Sequence, residues 1–163
     1  MRDTAPVTDS PLHVCFVCSG NICRSPMAAL VFREHLERAG LADRVRVTSA
    51  GTGPWHVGEG ADPRAAATLR AHGYPTGHVA AQVDDEHLDA DLLLAADAGH
   101  LRQLRAKLAE PDRVRLLREF DPSAGPGAEV PDPYYGEGDG FTEVLTMIER
   151  TVPGLLDWVG EQR

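Results

Sequence analysis

Lysine is almost missing from this chain of 163 residues: Lys107 stands alone among 16 basic side chains, against 25 acidic ones, and the formal net charge is −9. A chain this short of positive charge has no surplus with which to neutralise a nucleic-acid backbone. General nucleic-acid binding is excluded, and any affinity for phosphate has to be local. Cysteine stops at Cys23. Cys15, Cys18 and Cys23 are the whole set, and thiols clustered in residues 15–23 cannot staple a fold together. No apolar run reaches membrane-spanning length. The opening MRDTAPVTDSP lacks the apolar centre of a secretory signal, and no G-x-x-x-x-G-K-S/T phosphate loop occurs. These gaps lead to the expectation of a cytoplasmic protein with no membrane partner. Residues 1–10 read as a flexible tail ahead of one domain over residues 11–163, a length that suits a single core.

What is present alternates strand and helix. LHVCFVC (12–18) is a continuous apolar run of β-formers, as expected of a strand buried on both faces of a parallel sheet. Ser25-Pro26 opens a helix that runs to Gly40. RVRVTSA (44–50) is a second strand, Asp62-Pro63 starts a helix ended by Gly73, and DLLLAA (91–96) is a third strand. AGHLRQLRAKLA (98–109) is helical and RVRLL (113–117) is a fourth strand. A Pro/Gly-rich stretch, residues 120–140, then leads to an amphipathic helix near 140–160. The pattern predicts an α/β fold: one doubly wound domain, a central four-stranded parallel sheet flanked by helices. Ligands of such sheets bind beyond the carboxyl ends of the strands, at helix N-termini. The segment between the first strand and the first helix lies at that place.

That segment reads VCSGNICRSP, residues 17–26, and three chemistries compete for it. As an oxyanion cradle, its backbone N–H groups point inward and the helix start adds partial positive charge. Gly20 and Asn21 tolerate the left-handed backbone that a tight loop needs. Arg24 can hold two phosphate oxygens with its planar fork, and the field favours the Cys18 thiolate, the form that attacks phosphorus. As a metal knuckle it would use Cys15, Cys18 and Cys23 with His13. Structural zinc draws paired spacings from two places in a chain, however, and Cys15 and Cys18 face opposite sides of a strand. As a redox pair, Cys23 would resolve an oxidised Cys18, which fits a protective side reaction and leaves Arg24 without a purpose. From the residues alone, Asp132-Pro133 is a turn former and Trp55 a loop aromatic over the core. His56, His72, His78, His87 and His100 read as ordinary surface histidines.

Cys-Ser-Gly-Asn-Ile-Cys-Arg-Ser-Pro resembles the signature loop of the low-molecular-weight protein tyrosine phosphatases. The likeness continues through SAGTGPWHVG (49–58), ADPRA (61–65), LRAHGYPTGHVAAQV (69–83) and DPYYG (132–136), and is closest in look to actinobacterial members. The resemblance implies a phosphatase that needs no metal or cofactor and hydrolyses phosphotyrosine and small aryl phosphates through a phosphocysteine. It implies a monomer acting on phosphotyrosine proteins, a bacterial tyrosine kinase among its partners. By the same resemblance Cys18 is the nucleophile. Arg24 holds the phosphate together with Ser19, Gly20, Asn21, Ile22, Cys23 and Ser25, and Asp132 is the general acid. Trp55, Tyr134 and Tyr135 wall the cleft, and Ser49 and His78 support the loop. Ser25 donates a hydrogen bond to Cys18, and a rival role as helix N-cap is geometrically compatible with it. Asp97 matches a carboxylate behind the site, although Ala96 stands before it where methionine is usual. Related arsenate reductases need cysteines downstream, which are absent here, and arginine phosphatases carry threonine where this chain has Ile22. A catalytically dead phosphotyrosine-binding module would leave Cys18, Arg24 and Asp132 without use.

Overall fold

The computed structural model describes residues 10–136 and 139–162; the tail expected over residues 1–10 lies outside them except for Ser10. Strand β1 (Leu12–Cys18) is buried from His13 to its end, because it runs through the middle of the sheet. β2 (Val45–Gly51) pairs with it on one side and β3 (Leu92–Ala95) on the other, with β4 (Val114–Leu116) outside β3. All pairings are parallel. The order β2-β1-β3-β4 reverses direction at β1, so a crevice opens beyond the carboxyl ends of β1 and β3.

Five helices, α1 (Arg24–Arg38), α2 (Pro63–Ala71), α3 (Asp85–Leu88), α4 (Ala98–Arg105) and α5 (Asp139–Glu161), cover the sheet. The period of two along β1 divides the core. Val14, Phe16 and Cys18 face α1, α2 and α5, whereas Cys15 and Val17 face Leu104 of α4 and Val114 of β4. Phe16 meets Phe32 of α1 edge to face, ring centroids 5.9 Å apart. Burying each such side chain contributes about 1.5–3 kcal/mol. Cys15 is therefore a core residue of the far face.

Three expectations about the helices change in the structure. α1 begins at Arg24 with Cys23 at its cap position and no side-chain cap, so Ser25 lies inside the first turn and is not the N-cap. α4 ends at Arg105. There the guanidinium donates to the Val114 carbonyl at 2.7 and 3.1 Å and turns the chain toward β4. The four-residue α3 was not expected; it exists because the Asp84 carboxylate accepts from Glu86 and His87 N–H and caps it locally.

Candidate active site

The turn from β1 into α1 is closed by its own side chains. Asn21, fully buried, has φ 59° and is the only non-glycine among the described residues with positive φ. That conformation costs energy and persists only when the surroundings over-determine it, which they do here. Its amide donates to Ser25 Oγ at 2.7 Å and to Ser49 Oγ at 3.0 Å, and its Oδ1 accepts from Ala81 N–H at 2.9 Å. His78 Nε2 donates to the Asn21 carbonyl at 2.6 Å; burial holds this imidazole below its ordinary value. Ser49 and His78 thus converge on Asn21 from β2 and from the loop after α2. Gly51, at the end of β2, lets the loop lie against it: a Cβ there would stand 2.6 Å from the Ser19 carbonyl.

Inside this frame Cys18 Sγ lies 2.9 Å from Ser25 Oγ and receives the Ser25 N–H at 3.4 Å. The Ser25 hydroxyl, accepting from Asn21, has its own proton free to donate to the sulfur. Cys23 differs. Burial, reinforced by Asp62 and the other acids of the site, pushes its thiol up to about 12, so it is neutral and serves as packing.

Arg24 is 5% exposed and is aimed by three groups. Nη1 donates to Asp97 Oδ2 at 3.1 Å and to the Val130 carbonyl at 2.9 Å, and Nη2 lies 3.6 Å from Asp132 Oδ2. Asp97 is thus the carboxylate that holds the guanidinium, and Ala96 does not disturb it. Burial alone would raise the Asp97 carboxyl; the His100 N–H, the His100 ring and Arg24 outweigh it and bring the group below the usual carboxylate range. Asp132 caps a 3-10 turn, Pro133–Tyr135: Oδ1 accepts the Tyr134 N–H at 3.1 Å and Oδ2 looks toward Arg24.

Cys18, Gly20, Ile22 and Arg24 floor a cavity of about 490 Å³, within the range of small-ligand sites. Asp132 stands at its edge, and Trp55, Tyr134 and Tyr135 line its mouth. Trp55 is 67% exposed, so it is a wall of the cavity and no part of the core. Tyr134 meets Tyr135 edge to face at 5.1 Å, and the Arg64 guanidinium sits over the Tyr134 ring at 5.4 Å.

Two residues were missed in the sequence. His56 lines the cavity and pairs with Glu59 at 3.1 Å. His100 is buried, with Nε2 2.9 Å from Ser19 Oγ. Neither has a spacing signature; for His100 the one legible sign was an imidazole three residues after a helix-capping Asp97. Among the described residues no group of three His, Cys, Asp or Glu side chains could hold a metal ion. The site can hold an oxyanion against Arg24 and the loop N–H groups, present a sulfur to it from below, and offer a carboxyl from the side.

Residues 13–163 match the family model of low molecular weight phosphotyrosine protein phosphatase. The chain is 61% identical over 153 residues to low molecular weight protein-tyrosine phosphatase A of Mycobacterium tuberculosis, covering 93% of this chain and 94% of that protein. It is 56% identical over 156 residues to the low molecular weight protein-tyrosine-phosphatase of Streptomyces coelicolor, covering 92% and 94%. A crystal structure of a protein tyrosine phosphatase from Entamoeba histolytica with Hepes in the active site superposes with a TM-score of 0.87 at 29% identity, over 93% of this chain and 98% of that one. The fold, the cavity beyond β1 and these likenesses agree: the chain belongs to the low-molecular-weight phosphotyrosine protein phosphatase family and is an enzyme of that kind.

Proposed function

We propose that Cys18, Arg24 and Asp132 carry a two-step hydrolysis of phosphotyrosine. The Cys18 thiolate attacks phosphorus in line while Arg24 and the N–H groups of residues 19–24 hold the equatorial oxygens. The bond from phosphorus to the phenolic oxygen breaks as the S–P bond forms, and the carboxyl of Asp132 gives that oxygen its proton. Asp132, now a carboxylate, then takes a proton from the water that cleaves the phosphocysteine. Ser25 steadies the sulfur before attack and after departure. Trp55, Tyr134 and Tyr135 flank the phenyl ring.

The observation that carries this reading is that Cys18, Arg24 and Asp132 line one cavity, with Cys18 Sγ 2.9 Å from Ser25 Oγ and Arg24 Nη2 3.6 Å from Asp132 Oδ2. The substrates are phosphotyrosine proteins, a tyrosine kinase of the same cell among them. One chain supplies every group of the site, which supports action as a monomer. The free thiols Cys15, Cys18 and Cys23 suit a reducing cytoplasm. The test is para-nitrophenyl phosphate hydrolysis in EDTA and reductant by wild type and Cys18→Ser. Turnover by wild type alone is expected; equal turnover by both would remove Cys18 from the chemistry.

A further inference from the structure

His100 is a buried ionisable side chain next to the phosphate loop that the hydrolysis above leaves unused. It projects from the first turn of α4, is 4% exposed, and touches the phosphate loop through Ser19, its Nε2 lying 2.9 Å from Ser19 Oγ. Its other nitrogen, Nδ1, is 3.1 Å from Asp97 Oδ1 but off the line of a formed hydrogen bond, so it is a buried polar atom with an incomplete partner. Asp97 in turn holds Arg24 through its second oxygen. His100 therefore joins the first residue after Cys18 to the carboxylate behind the guanidinium.

We propose that His100 is a positioning residue that sets the direction of the Ser19 hydroxyl and, with it, how tightly the cradle holds an oxyanion. The proposal rests on the assignment of the Cys18–Ser25 loop as that cradle. The Asp97 carboxylate favours the tautomer with the proton on Nδ1. Nε2 of the neutral ring then accepts from Ser19, and the hydroxyl proton points away from the cavity. When His100 takes a proton, Nε2 becomes a donor. Ser19 Oγ must accept, and its proton is released to the oxyanion as one more donor. The charged groups facing the ring are Asp97 and Arg24, with Asp132 and Glu129 farther off. Burial dominates them and holds the imidazole below its ordinary value of 6.5. The neutral, hydroxyl-accepting form is accordingly the resting state near neutrality, and acidification converts it.

Sulfate does not titrate between pH 5 and 8, so its inhibition constant against para-nitrophenyl phosphate reports the cradle alone. Wild type, His100→Gln, Ser19→Ala and the double variant are compared over that range. Glutamine can keep a hydrogen bond to Ser19 but cannot titrate. The remaining ionisable groups of the site are common to all four proteins, so differences between them isolate the pair. Between pH 8 and 5 sulfate inhibition of wild type should tighten about tenfold more than that of His100→Gln, the worth of one hydrogen bond to a charged group. Ser19→Ala should lose the same increment, and adding His100→Gln to it should change nothing further. If His100→Gln does not fold, the Ser19→Ala profile decides alone. A pH dependence identical in wild type and the single variants would overturn the proposal. Absence of sulfate competition in wild type at every pH would instead overturn the cradle.

Discussion

The loop from Cys18 to Ser25 and the stretch from Asp121 to Gly136 meet across one cavity and are held in opposite ways. In the first, Asn21, Cys23, Arg24 and Ser25 are all buried, and the side chains are tied to β2, to the loop after α2 and to each other. In the second, the anchor is Val130, whose N–H donates to the Ala96 carbonyl at 2.8 Å and whose carbonyl accepts from Arg24. Beyond that anchor Asp132 and the tyrosines stand at the surface, Tyr135 84% exposed. On the proposed reading, a group of fixed shape, the phosphate, would be met by a preorganised donor set that costs nothing to arrange at the moment of reaction. The rim around it is open. Arg24 binds the two halves, since its guanidinium reaches Asp97, Val130 and Asp132 at once.

Breaking the open half chemically should have the largest effect. Asp132→Ala should slow phosphotyrosine hydrolysis by about 10²–10⁴-fold, the usual worth of a general acid; kcat on a phosphotyrosyl peptide checks it. Breaking the closed half should cost both rate and stability. Asn21→Ala removes hydrogen bonds to Ser25, Ser49 and Ala81 N–H and leaves a β-carbon at positive φ, so unfolding in urea should show a loss of about 2–4 kcal/mol. Turnover should fall with it, because Ser25 loses its aim. Trimming the rim should do least to the fold. Tyr135→Ala should raise KM for a phosphotyrosyl peptide about 3–10-fold, the loss of a partly exposed aromatic contact, while its urea midpoint stays that of wild type.

The contrast sharpens with pH. His13, His78 and His100 lie below the ordinary imidazole value because burial disfavours their charge. In the unfolded chain they take up protons as pH falls through about 6.5, before the folded chain does. The unfolded state then binds more protons, and stability falls from pH 7 toward 5. The depressed carboxyls of Asp62, Asp97 and Asp121 add a second loss below their ordinary 3.8. Melting curves should show two descents, with Tm moving about 2–4 °C for each kcal/mol lost. His78→Gln should make the first shallower and leave the second.

Much of this was legible beforehand, for physical reasons that differ by element. The four strands announce themselves as apolar runs because a parallel sheet is buried on both faces. The loop stood out because a cradle for an oxyanion calls for few residue types in a fixed order, whereas DPYY stood out through the family resemblance alone, its Asp-Pro reading otherwise as a turn. Helix starts at Asp62-Pro63 and Ala98 were legible too, but not every boundary was. α4 stops where Arg105 finds the Val114 carbonyl, and α3 forms on one local cap; both depend on partners that period-reading does not see. Ser25 read as a thiol partner that was also compatible with a helix cap, and the start of α1 at Arg24 removes the cap role. His100 was invisible for the same reason: its meaning lies in Ser19, on another element.

The most direct measurement is to quench wild-type enzyme in acid during turnover of para-nitrophenyl phosphate and locate the phosphoryl group by mass spectrometry. The account predicts phosphate on the sulfur of Cys18, more of it in Asp132→Ala, where the second step is also slowed, and none in Cys18→Ser. Turnover without any phosphocysteine, or with the label on another residue, would contradict it.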